Sequence, residues 1–127
     1  EAIKRMAISS GGEGGAIVNV SSIAALIGSP FEYIDYAATK GAIDTFTLGL
    51  AKEIAEESIR VNAVRPGITD TDIHASGGEP DRVARVAPRI PMKRAGEPHE
   101  VAEAILWLLS DSASYVTGSI LNVGGGI

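Results

Sequence analysis

Three short runs rich in β-branched and apolar residues constrain this chain most: Ala16-Ile17-Val18-Asn19-Val20, Ile59 to Val64, and Ser119 to Val123. They lie too far apart to be joined by hairpins, and a helical pattern fills each gap. Strands joined through helices run parallel, because the chain must travel back before it re-enters the sheet. Parallel strands are buried on both faces, so they read as near-continuous apolar runs rather than as alternation. The order helix, strand, helix, strand, helix, strand therefore predicts an α/β fold around a parallel sheet.

The first gap carries a helix from about Asp35 to Glu57. Ile43, Phe46, Leu50 and Ile54 recur at spacings of three and four, which predicts an inward apolar stripe. Residues 21–35, with Gly28-Ser29-Pro30, read as a loop. Pro66-Gly67 closes the second strand. Residues 68–97 read as irregular, with a short helix near Asp81 to Val86; connections this long are usually functional. Pro98 suits the first position of a further helix, with Val101, Ala102, Ile105, Leu106 and Leu109 as its buried face. At the other end, Ala2, Ile3 and Met6 read as the end of a helix already under way, stopped at Gly11-Gly12.

Composition narrows the function. Of the 127 residues, 45% are apolar, enough for one core and one domain, and only 5% are aromatic. The formal net charge is −5 with no basic stripe, which argues against nucleic acid and anionic membrane surfaces as partners. There is no cysteine, so disulfide scaffolds, zinc fingers and thiol nucleophiles are excluded. That fits a cytoplasmic protein. The longest apolar run, Ala104 to Leu109, is too short to span a bilayer.

Tyr36 and Lys40 stand one helical turn apart, so both project from one face. A phenol beside a fixed ammonium ionises more readily, because the cation favours the phenolate, and such a phenol exchanges protons usefully. Alone, Tyr-x-x-x-Lys is a common exposed helical pair. Ser21-Ser22 adds to it: these serines follow a predicted parallel strand, where open α/β sheets place their ligands. Val64-Arg65-Pro66-Gly67 ends the next strand, and a glycine there admits close approach of a ligand to backbone. All three elements fall at one edge of the sheet.

Asn19-Val20-Ser21-Ser22, Tyr36-Ala37-Ala38-Thr39-Lys40-Gly41-Ala42 and Arg60-Val61-Asn62-Ala63-Val64-Arg65-Pro66-Gly67 resemble, in order and spacing, the short-chain dehydrogenase/reductase family. Pro91-Met92-Lys93-Arg94, Gly96-Glu97-Pro98-His99-Glu100-Val101-Ala102 and Ser114-Tyr115-Val116-Thr117-Gly118 extend the resemblance over nearly the whole chain. It is nearest to sugar (glucose) 1-dehydrogenases and 3-oxoacyl-carrier-protein reductases. The resemblance implies a Rossmann-like doubly wound parallel sheet and an oxidoreductase that interconverts a small-molecule carbonyl and alcohol using NAD or NADP. It assigns Tyr36 as general acid/base and Ser22 as the hydrogen-bond donor to the substrate oxygen. Lys40 assists Tyr36 and binds the nicotinamide ribose. Pro66, Gly67, Thr69 and Thr71 line the nicotinamide amide; the family has Ile where this chain has Thr69. Residues 72–95 match a variable substrate lid. A homo-oligomer, tetramer or dimer, is the family's usual state.

The family's Gly-rich phosphate turn, its Asn-Asn-Ala-Gly segment and its catalytic Asn have no counterpart here. Residues 1–127 thus resemble the C-terminal catalytic half of one domain, the last three strands of an order 3-2-1-4-5-6-7, with the dinucleotide-binding half absent. The first strand is then an exposed apolar edge. The rival expectation is an inactive or partner-dependent fragment with a binding or assembly role. A serine hydrolase is excluded, because no Gly-x-Ser-x-Gly elbow surrounds either serine. His74 and His99 lack acidic or cysteine partners at ligand spacing, so no metal is expected; His74 is a weaker candidate for substrate contact. Trp107 reads as core or subunit interface. Asp70 and Asp72 read as solvated loop carboxylates, and Ser21 is the alternative to Ser22.

Overall fold

Strand β1 (Gly15–Val20) pairs in parallel with β2 (Ile59–Pro66), and β2 pairs in parallel with β3 (Ile120–Val123), giving the sheet order β1-β2-β3. These relations come from a computed structural model that describes residues 1–127. Ile17 stands opposite Val61 and Val20 opposite Val64, while Ala63 to Pro66 face Ile120 to Val123. As the central strand, β2 is covered on both sides, and Ile59, Val61, Asn62, Ala63 and Val64 are all buried. β1 pairs with β2 alone, so it is the edge that the sequence predicts.

Six α-helices surround the sheet: α1 (Ala2–Met6), α2 (Ala24–Ile27), α3 (Ile34–Glu53), α4 (Ile73–Ser76), α5 (Arg82–Val86) and α6 (Pro98–Leu109). Side chains alternate along β2. Ile59 and Val61 pack with Ala51 of α3, with Ile54 just beyond it, and with Ala7. From the other face, the Arg60 guanidinium donates to the carbonyls of Leu108 (2.8 Å) and Ser110 (3.1 Å). Those groups are the unpaired acceptors at the end of α6, so Arg60 caps that helix from the sheet. Asn62, fully buried, satisfies itself against Val116 and Ser119. No helix is long and apolar enough to cross a membrane.

Several sequence expectations are corrected. The inward face of α3 carries Ala37, Asp44, Thr47 and Ala51; of the expected stripe, Ile54 is buried and Leu50 packs against the same core, while Phe46 is 59% exposed. Small residues let α3 sit close to the sheet. The polar ones are matched across it: Asn19 donates to Thr47 Oγ1 (2.9 Å), and Arg65 Nε to Asp44 Oδ2 (2.9 Å). On α6, Leu108 is buried while Leu106, Trp107 and Leu109 are exposed; Trp107 is therefore not core. The segment after β1 is not all loop, since α2 forms one turn closed by Gly28 in the left-handed region. β2 does end at Pro66, as expected, although Pro66 itself is still paired in the ladder. Its carbonyl accepts from the Ile23 N–H (3.0 Å), and the next residue, Gly67, donates to Val123 O (2.9 Å).

Pro98 opens α6 as expected, and Glu100 caps it. The Glu100 carboxylate takes a bidentate bond from Arg94 (2.6 and 2.7 Å) and one from the Glu97 N–H (2.8 Å). The Arg94 guanidinium and then the Glu97 amide hold its carboxyl down at about 2, from an ordinary 4.5. A carboxyl lowered by folding adds stability above its unfolded value and loses it as pH falls towards its folded one. Thermal melts of Glu100→Gln and the parent should therefore differ at neutral pH. The gap should narrow below about 4.5 and close near about 2; a gap independent of pH would contradict the assignment.

Candidate active site

The carboxyl ends of β1 and β2 open into a cavity of about 740 Å³. Parallel sheets place ligands there because the loops leaving neighbouring strands diverge and leave a crevice. Ser22, Tyr36, Lys40, Pro66, Gly67, Thr69 and Thr71 all line it, so the seven residues expected from the sequence converge on one space.

Each is placed by an identifiable local device. Ser21 is 2% exposed, and its hydroxyl donates to the Lys40 carbonyl (3.2 Å), tying the end of β1 to α3. Ser21 is thus a structural anchor, and Ser22 is the more open of the two serines. Ser22 Oγ accepts from the Ala24 N–H (3.1 Å), which fixes the oxygen and leaves its proton free to be donated. Tyr36 lies in the first turn of α3, where Asp35 Oδ1 accepts from its backbone N–H (2.9 Å). Its side chain is open to the cavity, with the residue 44% exposed. One turn on, the Lys40 ammonium donates to the Val20 carbonyl (2.9 Å) and stands 5.6 Å from the centre of the Tyr36 ring. A long flexible cation is thereby held between strand and phenol.

Gly67 is required by close approach: a Cβ there would stand 2.7 Å from Gly124 Cα. Thr69 Oγ1 turns back to the Gly67 carbonyl (3.3 Å), and the Thr69 carbonyl meets His74 Nε2 at 2.8 Å. His74 lines the cavity beside Ile73. Sequence reasoning missed the remaining wall. Ile127 closes one side, and Glu32, Tyr33, Glu79 and Arg82 form another. Glu79 and Arg82 are an i,i+3 pair, but their links to Tyr33 and Glu32 span 46 and 50 residues, which no local pattern marks.

A parallel α/β sheet with a hydroxyl, a phenol and a pinned ammonium gathered at its strand ends defines a Rossmann-like framework. The chain belongs to the short-chain dehydrogenase/reductase family, and the family profile described as enoyl-(acyl carrier protein) reductase matches residues 2–127. It is 65% identical over 126 residues to YgfF of Escherichia coli (strain K12), named an uncharacterized oxidoreductase, covering 99% of this chain and 51% of that protein. The glucose and ribitol dehydrogenase homolog of Oryza sativa subsp. japonica is 45% identical over 129 residues, covering 99% of this chain and 43% of that one. A crystal structure of a 3-oxoacyl-(acyl-carrier protein) reductase with bound NAD from Brucella melitensis superimposes with a TM-score of 0.79 at 45% identity. That match covers 89% of this chain and 40% of the other. The chain spans about half the length of the curated relatives it matches.

Proposed function

We propose that this chain supplies the catalytic centre of an oxidoreductase that interconverts a carbonyl and an alcohol with NAD or NADP. One observation carries the reading: Ser22, Tyr36 and Lys40 meet in one cavity at the strand ends, with the ammonium pinned beside the phenol. The donor set fits a nicotinamide riboside. Lys40 commits one of its three protons to Val20 and keeps two for ribose hydroxyls. The Gly67–Gly124 contact fixes the backbone that leaves β2 against the backbone that leaves β3. When bound, the nicotinamide supplies or accepts the hydride.

The remaining chemistry belongs to the chain. During reduction, Tyr36 gives its phenolic proton to the carbonyl oxygen as charge builds there; in oxidation it takes the proton back. Ser22 donates to the same oxygen and orients it before reaction. Lys40 stabilises negative charge on the Tyr36 oxygen. Thr69, Thr71 and Pro66 bound the space for the nicotinamide amide. The protein is tested with NADH and NADPH against ketones, aldehydes, aldoses and 3-oxoacyl thioesters, following loss of the reduced dinucleotide. Carbonyl-dependent loss with one of them supports the reading; none across all classes contradicts it.

The outer faces of α3 and α6 support a second element of the reading. Phe46, Leu106 and Trp107 are exposed, and large apolar side chains gathered on a helix surface suit an interaction site. We assign them to contacts in a homo-oligomer, dimer or tetramer. The open edge of β1 likewise suits a further strand, which is the observation behind the rival reading of a partner-dependent assembly element.

A further inference from the structure

The wall of the cavity facing α3 is built from ion pairs that the reaction above does not use. Arg82 on α5 donates to Glu79 at 3.1 Å and to Glu32 at 2.6 Å, and its guanidinium lies 4.9 Å from the centre of the Tyr33 ring. Arg85 reaches the same two carboxylates, with Glu32 at 3.2 Å. The Tyr33 hydroxyl donates to Glu79 at 2.9 Å. Glu32 and Tyr33 immediately precede α3, and Tyr33 is its N-cap, three residues before Tyr36. The Arg82 side chain is 13% exposed against 43% for Arg85, so Arg82 is the inner member of the pair.

We propose that Arg82 is a positioning residue for Tyr36: by holding Glu32 and stacking on Tyr33 it fixes the first turn of α3, so that the placement of α5 and the placement of the phenol are coupled. The inference rests on the role given to Tyr36 above. The chemistry suits arginine in particular, since a planar fork serves two carboxylates and an aromatic face together while an ammonium is a point charge. A single exposed ion pair holds little. Here two carboxylates, two guanidiniums and a phenol share partners across two segments, so loss of one member loosens the others. The hydrogen bond to Glu79 pushes the Tyr33 phenol up. Arg85 first, then Tyr33, hold the Glu79 carboxyl down, as expected where the donor keeps its proton and the acceptor its charge.

The test joins hydrogen exchange to steady-state kinetics in the protein as encoded. In Arg82→Met, exchange should quicken in residues 30–37 together with the lid residues 79–89. The kcat should fall about tenfold, with the dinucleotide KM held within about twofold, the mark of a misplaced acid rather than a damaged binding site. Arg82→Lys should recover part of that loss, and adding Glu32→Gln to Arg82→Met should cost nothing further. Should Arg82→Met not fold, Glu32→Gln alone carries the test with the same expected pattern. Faster exchange confined to the lid, or a kcat within about twofold of the parent, overturns the proposal. Coupled exchange in a parent protein that turns over no carbonyl supports the mechanical link and overturns the oxidoreductase reading instead.

Discussion

Tyr36→Phe should lower kcat about a thousandfold, in the middle of the range for loss of a general acid/base, which corresponds to roughly 4 kcal/mol of barrier. The substitution keeps the ring and removes one oxygen. That oxygen faces an open cavity, and Tyr36 is 44% exposed, so folding should not register its loss. Melting temperature and dinucleotide binding are expected to stay at parent values while turnover disappears. The Lys40 ammonium lies over the ring rather than on the hydroxyl and keeps its bond to Val20. Turnover within about tenfold of the parent would remove Tyr36 from the chemistry.

Lys40→Met should have an effect of similar size with a different signature. It removes the ammonium that bridges the end of β1 and the phenol, and with it the donors assigned to the ribose. Both parameters should move: kcat falls because charge on Tyr36 loses its counter-ion, and the dinucleotide KM rises because two donors are gone. A combined loss in kcat/KM of about a thousandfold follows if each accounts for between one and two decades. Lys40→Arg should not restore it, since a bulkier planar guanidinium with delocalised charge replaces the compact ammonium whose rotating donors are held at Val20. A variant changed in KM alone would make Lys40 a binding residue only.

Most of the framework was legible in the sequence because it is written locally. The strand runs, Pro98 at a helix start and the serine, tyrosine and lysine at strand ends all depend on neighbours within a few residues. Burial was not legible to the same degree. Along α3, the spacing of Ile43, Phe46, Leu50 and Ile54 suggests an apolar inner face; Leu50 and Ile54 do reach the core, but Phe46 is exposed and Asp44 and Thr47 turn inward as well. The partners of these two, Arg65 and Asn19, stand 21 and 28 residues away, so nothing local announces that these polar groups find partners across the sheet. The same holds for α6, where six consecutive apolar residues hide which one turns inward; the structure selects Leu108. The 50 residues between Glu32 and Arg82 explain why the wall they form with Glu79 was missed although the cavity floor was found.

The central claim is that hydride passes at this cavity between a nicotinamide and a substrate carbon, with Tyr36 handling the proton. The direct measurement is isotopic. The protein is given a carbonyl substrate and reduced dinucleotide deuterated at the nicotinamide C4, one C4 diastereomer at a time, and the alcohol is examined by mass spectrometry and NMR. The account predicts deuterium on the carbinol carbon from one diastereomer only, and about a thousandfold slower formation of labelled alcohol in Tyr36→Phe. Alcohol that forms without the label, or that forms equally well in Tyr36→Phe, would contradict it.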